Sequence, residues 1–248
     1  MAEQKNSILS IVNLAKAYGK KEVVKDISFS MEAGQIIGLL GPNGAGKTTT
    51  FYMIVGFLKP KRGSILLDGE DITALPMYVR SKRGLSYLPQ EPSIFRKLSV
   101  EDNIRLVVQT RTDLTKFGQQ QLVEQLLDEF GIEALRKQKG YTLSGGERRR
   151  TEIARALGCN PRFLLLDEPF AGIDPKAVYE IKQLIRALAG RGIGVLLTDH
   201  NVRDTLSITS SSYIINEGSI LVSGGKNELL SNRIAREIYF GEDFEGEN

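Results

Sequence analysis

The chain has 248 residues, 41% hydrophobic and 25% charged, which is enough apolar material for a sizeable buried core. Its net charge of +3 is too mild for the concentrated basic face of a nucleic-acid binder, so nucleic acid is not an expected partner. Cys159 is the sole cysteine, which excludes an internal disulfide, and no run approaches the roughly 20 apolar residues of a membrane helix. Residues 1–10 lack the long apolar core of a secretory signal. Any work at a membrane would therefore go through a partner.

In chain order, residues 8–31 are rich in β-formers and broken by Gly19-Lys20-Lys21, which predicts an antiparallel hairpin. Residues 35–40 (QIIGLL) form a short apolar run before a glycine-rich turn and read as a buried strand. Residues 48–58 read as a helix, and 64–67 and 85–88 as short strands. From 99 to about 135 the pattern is helical, with Leu122, Leu126, Leu127 and Phe130 on one face. A further helix over 145–157 stops before Pro161, and 163–166 is a fully apolar strand. Asp174-Pro175 opens a helix with Asp at the cap and Pro in the first turn. Residues 193–198 form another buried strand, and 213–216 and 219–222 flank Glu217-Gly218 as a hairpin. The alternation predicts one α/β domain over 1–248 with a mainly parallel sheet and an added antiparallel sheet. A helical subdomain is expected at about 92–157 and a helical tail at about 225–248.

The strongest motif is Gly41-Pro42-Asn43-Gly44-Ala45-Gly46-Lys47-Thr48, followed by Thr49. It matches G-x-x-x-x-G-K-[ST] and lies between a predicted strand and a predicted helix, the context a phosphate-binding loop requires. Glycines let the backbone wrap close to phosphate with its N–H groups inward, and the helix adds its positive end. Lys47 supplies a point charge to the β- and γ-phosphates of ATP, and the Thr48 hydroxyl a ligand to Mg²⁺. The alternative is a glycine-rich turn without a ligand. Residues 163–168 (FLLLDE) carry two carboxylates to the end of an apolar strand, where open α/β sheets bind ligands. Asp167 is expected to hold Mg²⁺ and Glu168 to orient and deprotonate the attacking water. Without a phosphate loop the pair would be a solvated helix cap.

Leu143-Ser144-Gly145-Gly146-Glu147, taken with these two motifs, resembles the signature of the ABC ATPases. The resemblance implies a P-loop NTPase fold of the ABC ATPase type and extends in the family's order. Tyr18 matches the aromatic that stacks on adenine, Gln90 the Q-loop glutamine that senses Mg²⁺, Asp174 the D-loop aspartate, and His200 the switch histidine. Each has a plainer reading: Tyr18 as a strand aromatic, Gln90 as a surface loop residue, His200 as a structural histidine. His200 is the only histidine, so a multi-histidine metal site is excluded. Glu147 stands where many members have glutamine, a change expected to spare the Ser144 hydroxyl and the Gly145 and Gly146 N–H groups. Arg148-Arg149-Arg150 reads as a charged helical face. The resemblance further implies a head-to-tail homodimer in which Ser144, Gly145, Gly146 and Glu147 of one subunit reach ATP on the other.

Within the family, residues 88–96 (LPQEPSIFR), 143–150, 167–174, 198–203 (TDHNVR) and the tail Tyr239-Phe240-Gly241-Glu242-Asp243-Phe244 resemble the lipopolysaccharide-export ATPases of Gram-negative bacteria. That likeness implies a peripheral protein on the cytoplasmic face of the inner membrane. Two copies would sit under two integral membrane subunits, contacted through a groove near Phe95 and Arg96, and drive lipopolysaccharide extraction. The alternatives are the ATPase of a branched-chain amino-acid importer, and a non-transport ABC ATPase. The tail argues against the first. The second usually carries two ATPase units, coiled coils or basic insertions, none of which this sequence has.

Overall fold

A computed structural model describes residues 7–240. Strand β1 (Ile8–Tyr18) turns at Gly19 (φ 58°) into the antiparallel β2 (Lys21–Glu32), forming the expected hairpin. The buried β3 (Ile36–Leu40) leads through residues 41–46 into helix α1 (Lys47–Val55). Gly56, at φ 92°, closes α1 three residues before the predicted end, because a left-handed C-cap suits glycine. Then follow β4 (Arg62–Leu67), the two-residue β5 (Glu70–Asp71), the short helix α2 (Met77–Lys82) and β6 (Leu85–Leu88). Neither β5 nor α2 spans enough residues to show a period in the sequence.

The helical pattern of 99–135 resolves into two helices, α3 (Val100–Val108) and α4 (Lys116–Glu129). Residues 109–115 break it with side chains that compete for local hydrogen bonds. Thr110 Oγ1 donates to the Val107 carbonyl at 2.8 Å, Arg111 Nε donates to Asp113 at 2.7 Å, and the Thr115 hydroxyl caps α4 at the Gly118 N–H. Helix α5 (Gly145–Leu157) precedes β7 (Phe163–Asp167), α6 (Pro175–Gly190), β8 (Gly194–Thr198) and α7 (Val202–Leu206). The hairpin β9 (Ser211–Asn216) and β10 (Ser219–Gly224) is followed by α8 (Lys226–Ser231), α9 (Arg233–Ala235) and a π-helical turn over Arg236–Phe240. The tail residues Gly241, Glu242, Asp243 and Phe244 lie outside the described residues.

One sheet runs β5-β4-β1-β2-β10-β9-β3-β8-β7-β6. The segment β9-β3-β8-β7-β6 is parallel, and the β5-β4-β1-β2 end is antiparallel. All residues of β3, β7 and β8 are buried, the pattern of strands covered on both faces. On one side Leu164, Leu166, Val195 and Leu197 pack with α3–α6. On the other Leu39, Leu165 and Leu196 pack with α1 and the antiparallel strands. A third cluster joins Leu40 and Leu206 to Leu229, Ala235, Tyr239 and Phe240, so the C-terminal helices close over the end of β3. The result is a mixed sheet with a parallel core, antiparallel strands at one end and helices on both faces.

Glu101, buried in the first turn of α3, gathers Arg105, Arg136 (3.3 Å) and Lys137 (2.8 Å). Arg136 also holds Glu124 of α4 at 2.9 Å, so one ionic cluster ties three segments together. Hydrogen bonds from Arg136, then Lys137 and Arg105, hold the Glu101 carboxyl down at about 2, below its ordinary 4.5. A depressed carboxyl stabilises the fold fully above its unfolded value and loses that contribution as pH falls toward its folded value. We therefore expect Glu101→Gln to lower the unfolding free energy at pH 7 by roughly 1–3 kcal/mol. The deficit should shrink to near zero by pH about 2, as read from urea unfolding across the acid range.

Candidate active site

Strand β3 delivers the chain into a loop that enters the left-handed region at three glycines. Gly41, Gly44 and Gly46 take φ of 149°, 78° and 108°. A Cβ on Gly41 would land on the Ile215 carbonyl, and one on Gly46 would stand 2.9 Å from the Val23 carbonyl oxygen. Helix α1 then starts at Lys47 with no side-chain cap, leaving its first-turn N–H groups for another acceptor. Residues 43–49 line a cavity of about 160 Å³ together with Val23, Glu168 and His200. Pro42 O accepts a hydrogen bond from Ala45 N at 3.2 Å, which tightens the loop.

Lys47 is buried, and its Nζ donates to the carbonyls of Gly41 (2.7 Å) and Pro42 (3.1 Å). Burial lowers its pKa, an effect that the charges of Glu168 and Asp167 oppose. A buried cation whose contacts are carbonyls, set among backbone N–H groups and the Thr48 and Thr49 hydroxyls, is a donor set that fits a polyphosphate. The hard oxygens of Thr48 and Asp167 suit a magnesium ion, which takes one or two protein ligands and completes its shell with phosphate and water. Among the described residues no group of three or more His, Cys, Asp or Glu could hold a metal by itself.

Asp167 ends β7, almost fully buried, and accepts from the Tyr87 hydroxyl at 3.2 Å. Burial pushes its carboxyl pKa up, as does the Glu168 charge, and burial pushes the Tyr87 hydroxyl up as well. Glu168 takes φ 45°, and its N–H donates to the Thr198 carbonyl at 2.8 Å. Its two carboxylate oxygens are each engaged: Oε2 by Gln90 Nε2 at 2.5 Å and Oε1 by His200 Nε2 at 2.7 Å. Three predicted site residues from three loops thus meet at one carboxylate. Asp199, buried beside His200, accepts from the N–H groups of Phe170 and Asn201 at 3.0 and 2.9 Å, which braces the loops after β7 and β8.

Other predicted residues stand elsewhere. Tyr18 is about half exposed at the end of β1, with Lys16 Nζ 5.7 Å from its ring centroid, and does not line the Lys47 cavity. Ser144, Gly146, Glu147 and Asp174 do not line it either, and Gly145 instead shares a small cleft with Gln90 and Glu168. Ser144 caps α5 in a reciprocal box in which Glu147 Oε2 accepts from both the Ser144 N–H and hydroxyl at 2.8 Å. Those two hydrogen bonds lower the Glu147 pKa. Gly146 is set by packing, since a Cβ there would come within 2.7 Å of Ala177 Cβ. Asp174 caps α6 through Ala177 N at 3.0 Å.

The reading of residues 148–150 as a charged helical face is corrected at Arg149. Its side chain is buried, donating to the carbonyls of Pro89 (2.9 Å) and Asp167 (3.2 Å). Adjacent helix positions point about 100° apart, so three successive arginines cannot share one face. Tyr87, Asp199 and Tyr239 were also missed. Tyr239 packs on the cluster that holds Leu40 at the end of β3, a long-range contact that no local pattern encodes.

A phosphate-binding loop, a strand-end carboxylate pair and a glutamine and histidine on the second carboxylate define a P-loop ATPase. The ABC transporter family model matches residues 24–171, and the chain belongs to that family as an ABC transporter ATPase. Among its relatives is the lipopolysaccharide export system ATP-binding protein LptB of Acidithiobacillus ferridurans, 53% identical over 97% of this chain and 99% of that one. The LptB of Escherichia coli K12 is 52% identical over 95% and 98%, and that of Haemophilus influenzae 51% over 96% and 99%. Crystal structures of an ATP-binding cassette of an ABC transporter superpose with TM-scores of 0.84 in the ADP conformation and 0.84 nucleotide-free. Each is 28% identical, covering 95% of this chain and 99% and 100% of that one.

The loop geometry predicts unequal costs for two alanine substitutions. Gly44→Ala meets no atom within 4 Å and carries only the strain of its positive φ, on the order of 1–2 kcal/mol. Gly41→Ala must also move the Ile215 carbonyl, for a total above roughly 3 kcal/mol. Thermal unfolding should show the larger fall in Tm for Gly41→Ala. The reverse order would mean that strain at φ, not contact with β9, dictates glycine here.

Proposed function

We propose that this chain hydrolyses MgATP as a homodimer to power lipopolysaccharide extraction from the inner membrane and its export toward the outer membrane. The observation that carries the hydrolytic role is the carboxylate of Glu168, held by Gln90 and His200 beside the Lys47 cavity. The cargo rests on near-full-length identity of 51–53% to the LptB proteins.

In this reading the N–H groups of residues 43–48 and the Lys47 ammonium bind the β- and γ-phosphates. Mg²⁺, held by Thr48 and Asp167 with Gln90 nearby, would neutralise phosphate charge as it builds during the reaction. Glu168 orients a water and takes its proton as the water oxygen bonds the γ-phosphorus and the bridging P–O bond breaks, giving ADP and phosphate. Gln90 and His200 fix the rotamer of Glu168 while each carboxylate oxygen keeps acceptor capacity for that water. Tyr18 is exposed at the end of β1, where an adenine can stack on its ring.

Ser144, Gly145, Gly146, Glu147 and Asp174 reach nucleotide from a second copy, a reading supported by none of the five lining the Lys47 cavity of their own chain. The start of α5 then offers its N–H groups to the γ-phosphate across the dimer. The whole chain acts as one ATPase domain, with a helical subdomain at about 92–157 and a helical tail at about 225–248. Among the described residues no helix is long and apolar enough to cross a membrane, so two integral membrane subunits would supply the path. The chain sits peripherally on the cytoplasmic face and meets them through the groove near Phe95 and Arg96. Phe95 is about half exposed, an arrangement typical of an aromatic interface anchor.

Two measurements test this reading. Glu168→Gln keeps the side-chain shape but removes the base and turns one acceptor oxygen into a donor, so turnover should fall roughly 10²–10⁴-fold with ATP binding retained. Turnover near wild type would remove Glu168 from the mechanism. Phe95→Ala should leave nucleotide binding by the purified subunit unchanged and reduce its recovery with the membrane subunits, by an anchor loss of about 2 kcal/mol. Full recovery in a working complex would defeat the anchor role.

A further inference from the structure

The loop over residues 89–96 carries Gln90, yet its shape is imposed by buried polar side chains of α5 and α3. Glu152, 1% exposed, accepts at Oε1 from the N–H groups of Ser93 (2.6 Å) and Ile94 (3.0 Å). Its Oε2 lies 3.5 Å from Arg149 Nη1. Arg155 donates to the Ser93 carbonyl (2.8 Å) and hydroxyl (2.6 Å), and its guanidinium lies 5.3 Å from the Phe95 ring centroid. Asn103, fully buried, accepts from Phe95 N at 2.9 Å and donates to the Phe95 carbonyl at 3.1 Å.

Arg149 holds the decisive position. Nη1 donates to the Pro89 carbonyl, and Nη2 to the Asp167 carbonyl. Those two carbonyls belong to the peptide units directly before Gln90 and Glu168, whose side chains meet at 2.5 Å. One rigid guanidinium therefore bridges the two peptides that aim the two side chains. Arg149 and Glu152 are 6% and 1% exposed, and a buried ion pair is often no more stabilising than apolar packing of the same volume. Its fork geometry, however, cannot be reproduced by an apolar side chain or by lysine.

Building on the hydrolytic role of Glu168, we propose that Arg149 and Glu152 are positioning residues for hydrolysis, clamping the Gln90 loop to the end of β7 and setting how Gln90 meets Glu168. Neither touches the Lys47 cavity, so both act through the peptides they hold. Because both lie on α5, which begins at Ser144, the clamp also ties the Gln90–Glu168 pair to the signature segment.

The test compares purified full-length Arg149→Met, Arg149→Lys and Glu152→Gln with wild type and with Glu168→Gln. Affinity for a fluorescent ATP analogue with Mg²⁺, ATP turnover and urea unfolding are measured on each. A displacement of about 1 Å in a positioned group can cost 10²-fold, so kcat should fall at least ~10-fold in Arg149→Met. Nucleotide affinity should stay within about threefold, because that substitution removes no group that binds the phosphates. Arg149→Lys should recover part of the loss. In a Gln90→Ala background, Arg149→Met should cost less than a third of its effect in wild type, since residues acting through one contact do not add. The proposal is overturned by kcat within about twofold of wild type in folded Arg149→Met, or by losses that simply multiply with those of Gln90→Ala. A fall in kcat that only tracks the unfolded fraction overturns it too. Should Arg149→Met fail to fold, Arg149→Lys and Glu152→Gln decide by the same criteria. Normal turnover in Glu168→Gln would instead refute the hydrolytic reading itself.

Discussion

The site depends on one constraint: the register of three buried parallel strands. Leu88, Leu166 and Leu197 stand in one row across β6, β7 and β8. Two residues beyond that row stand Gln90 and Glu168, and three beyond it His200. A parallel ladder fixes that row by backbone hydrogen bonds, and burial on both faces prevents slippage, because a one-residue shift would turn every side chain to the opposite face. The meeting of Gln90, Glu168 and His200 is thus a consequence of sheet register. Loops alone, with their freedom, would not hold a 2.5 Å and a 2.7 Å contact on one carboxylate.

This explains what was legible in the sequence. The glycine-rich loop, the strand ending at Asp167 and the cap at Asp174 are local statements, each decided by a few adjacent residues. Seven strands and α5 fall within two residues of where the sequence pattern put them, because short apolar runs bounded by turn residues leave little choice. What was lost had a longer range or an ambiguous period. The break at 109–115 hides inside a helical pattern because its threonines and aspartate are tolerated on a helix surface. Arg149 was readable in principle: Gly146, Arg149, Ile153 and Leu157 recur at helical spacing, and all four are buried. The charge of its neighbours, Arg148 and Arg150, masked that stripe. Tyr87 reaches Asp167, and Tyr239 packs on the cluster around Leu40, only through the tertiary fold.

The signature segment shows how packing and recognition share residues. Gly146 is small because α5 and α6 start side by side, with Ala177 filling the space a side chain would need. Asp174 caps α6 while Ser144 caps α5, each within its own first turn. The departure at Glu147 finds its role here: an acidic third residue completes the capping box and complements the positive end of the helix dipole. The first-turn N–H groups are what an anion would use, whereas the Ser144 hydroxyl proton points to Glu147 at 2.8 Å and would have to rotate to meet a phosphate.

On the proposed reading, the electrostatics of the cavity would favour binding nucleotide and metal together. Burial lowers the Lys47 pKa and raises that of Asp167, so each charge is held against a desolvation cost. Their mutual attraction relieves part of this, but Lys47 contacts carbonyls and Asp167 a phenol, not one another. A triphosphate alone would stabilise the Lys47 charge and work against the two carboxylates. A divalent cation alone would stabilise Asp167 and work against Lys47. Arriving together, each ligand would offset the repulsion the other creates, so the affinity of the pair would exceed what either finds singly. Such a coupling would be reciprocal by thermodynamic necessity, with Lys47 and Glu168 lining the cavity and Asp167 within electrostatic reach of both.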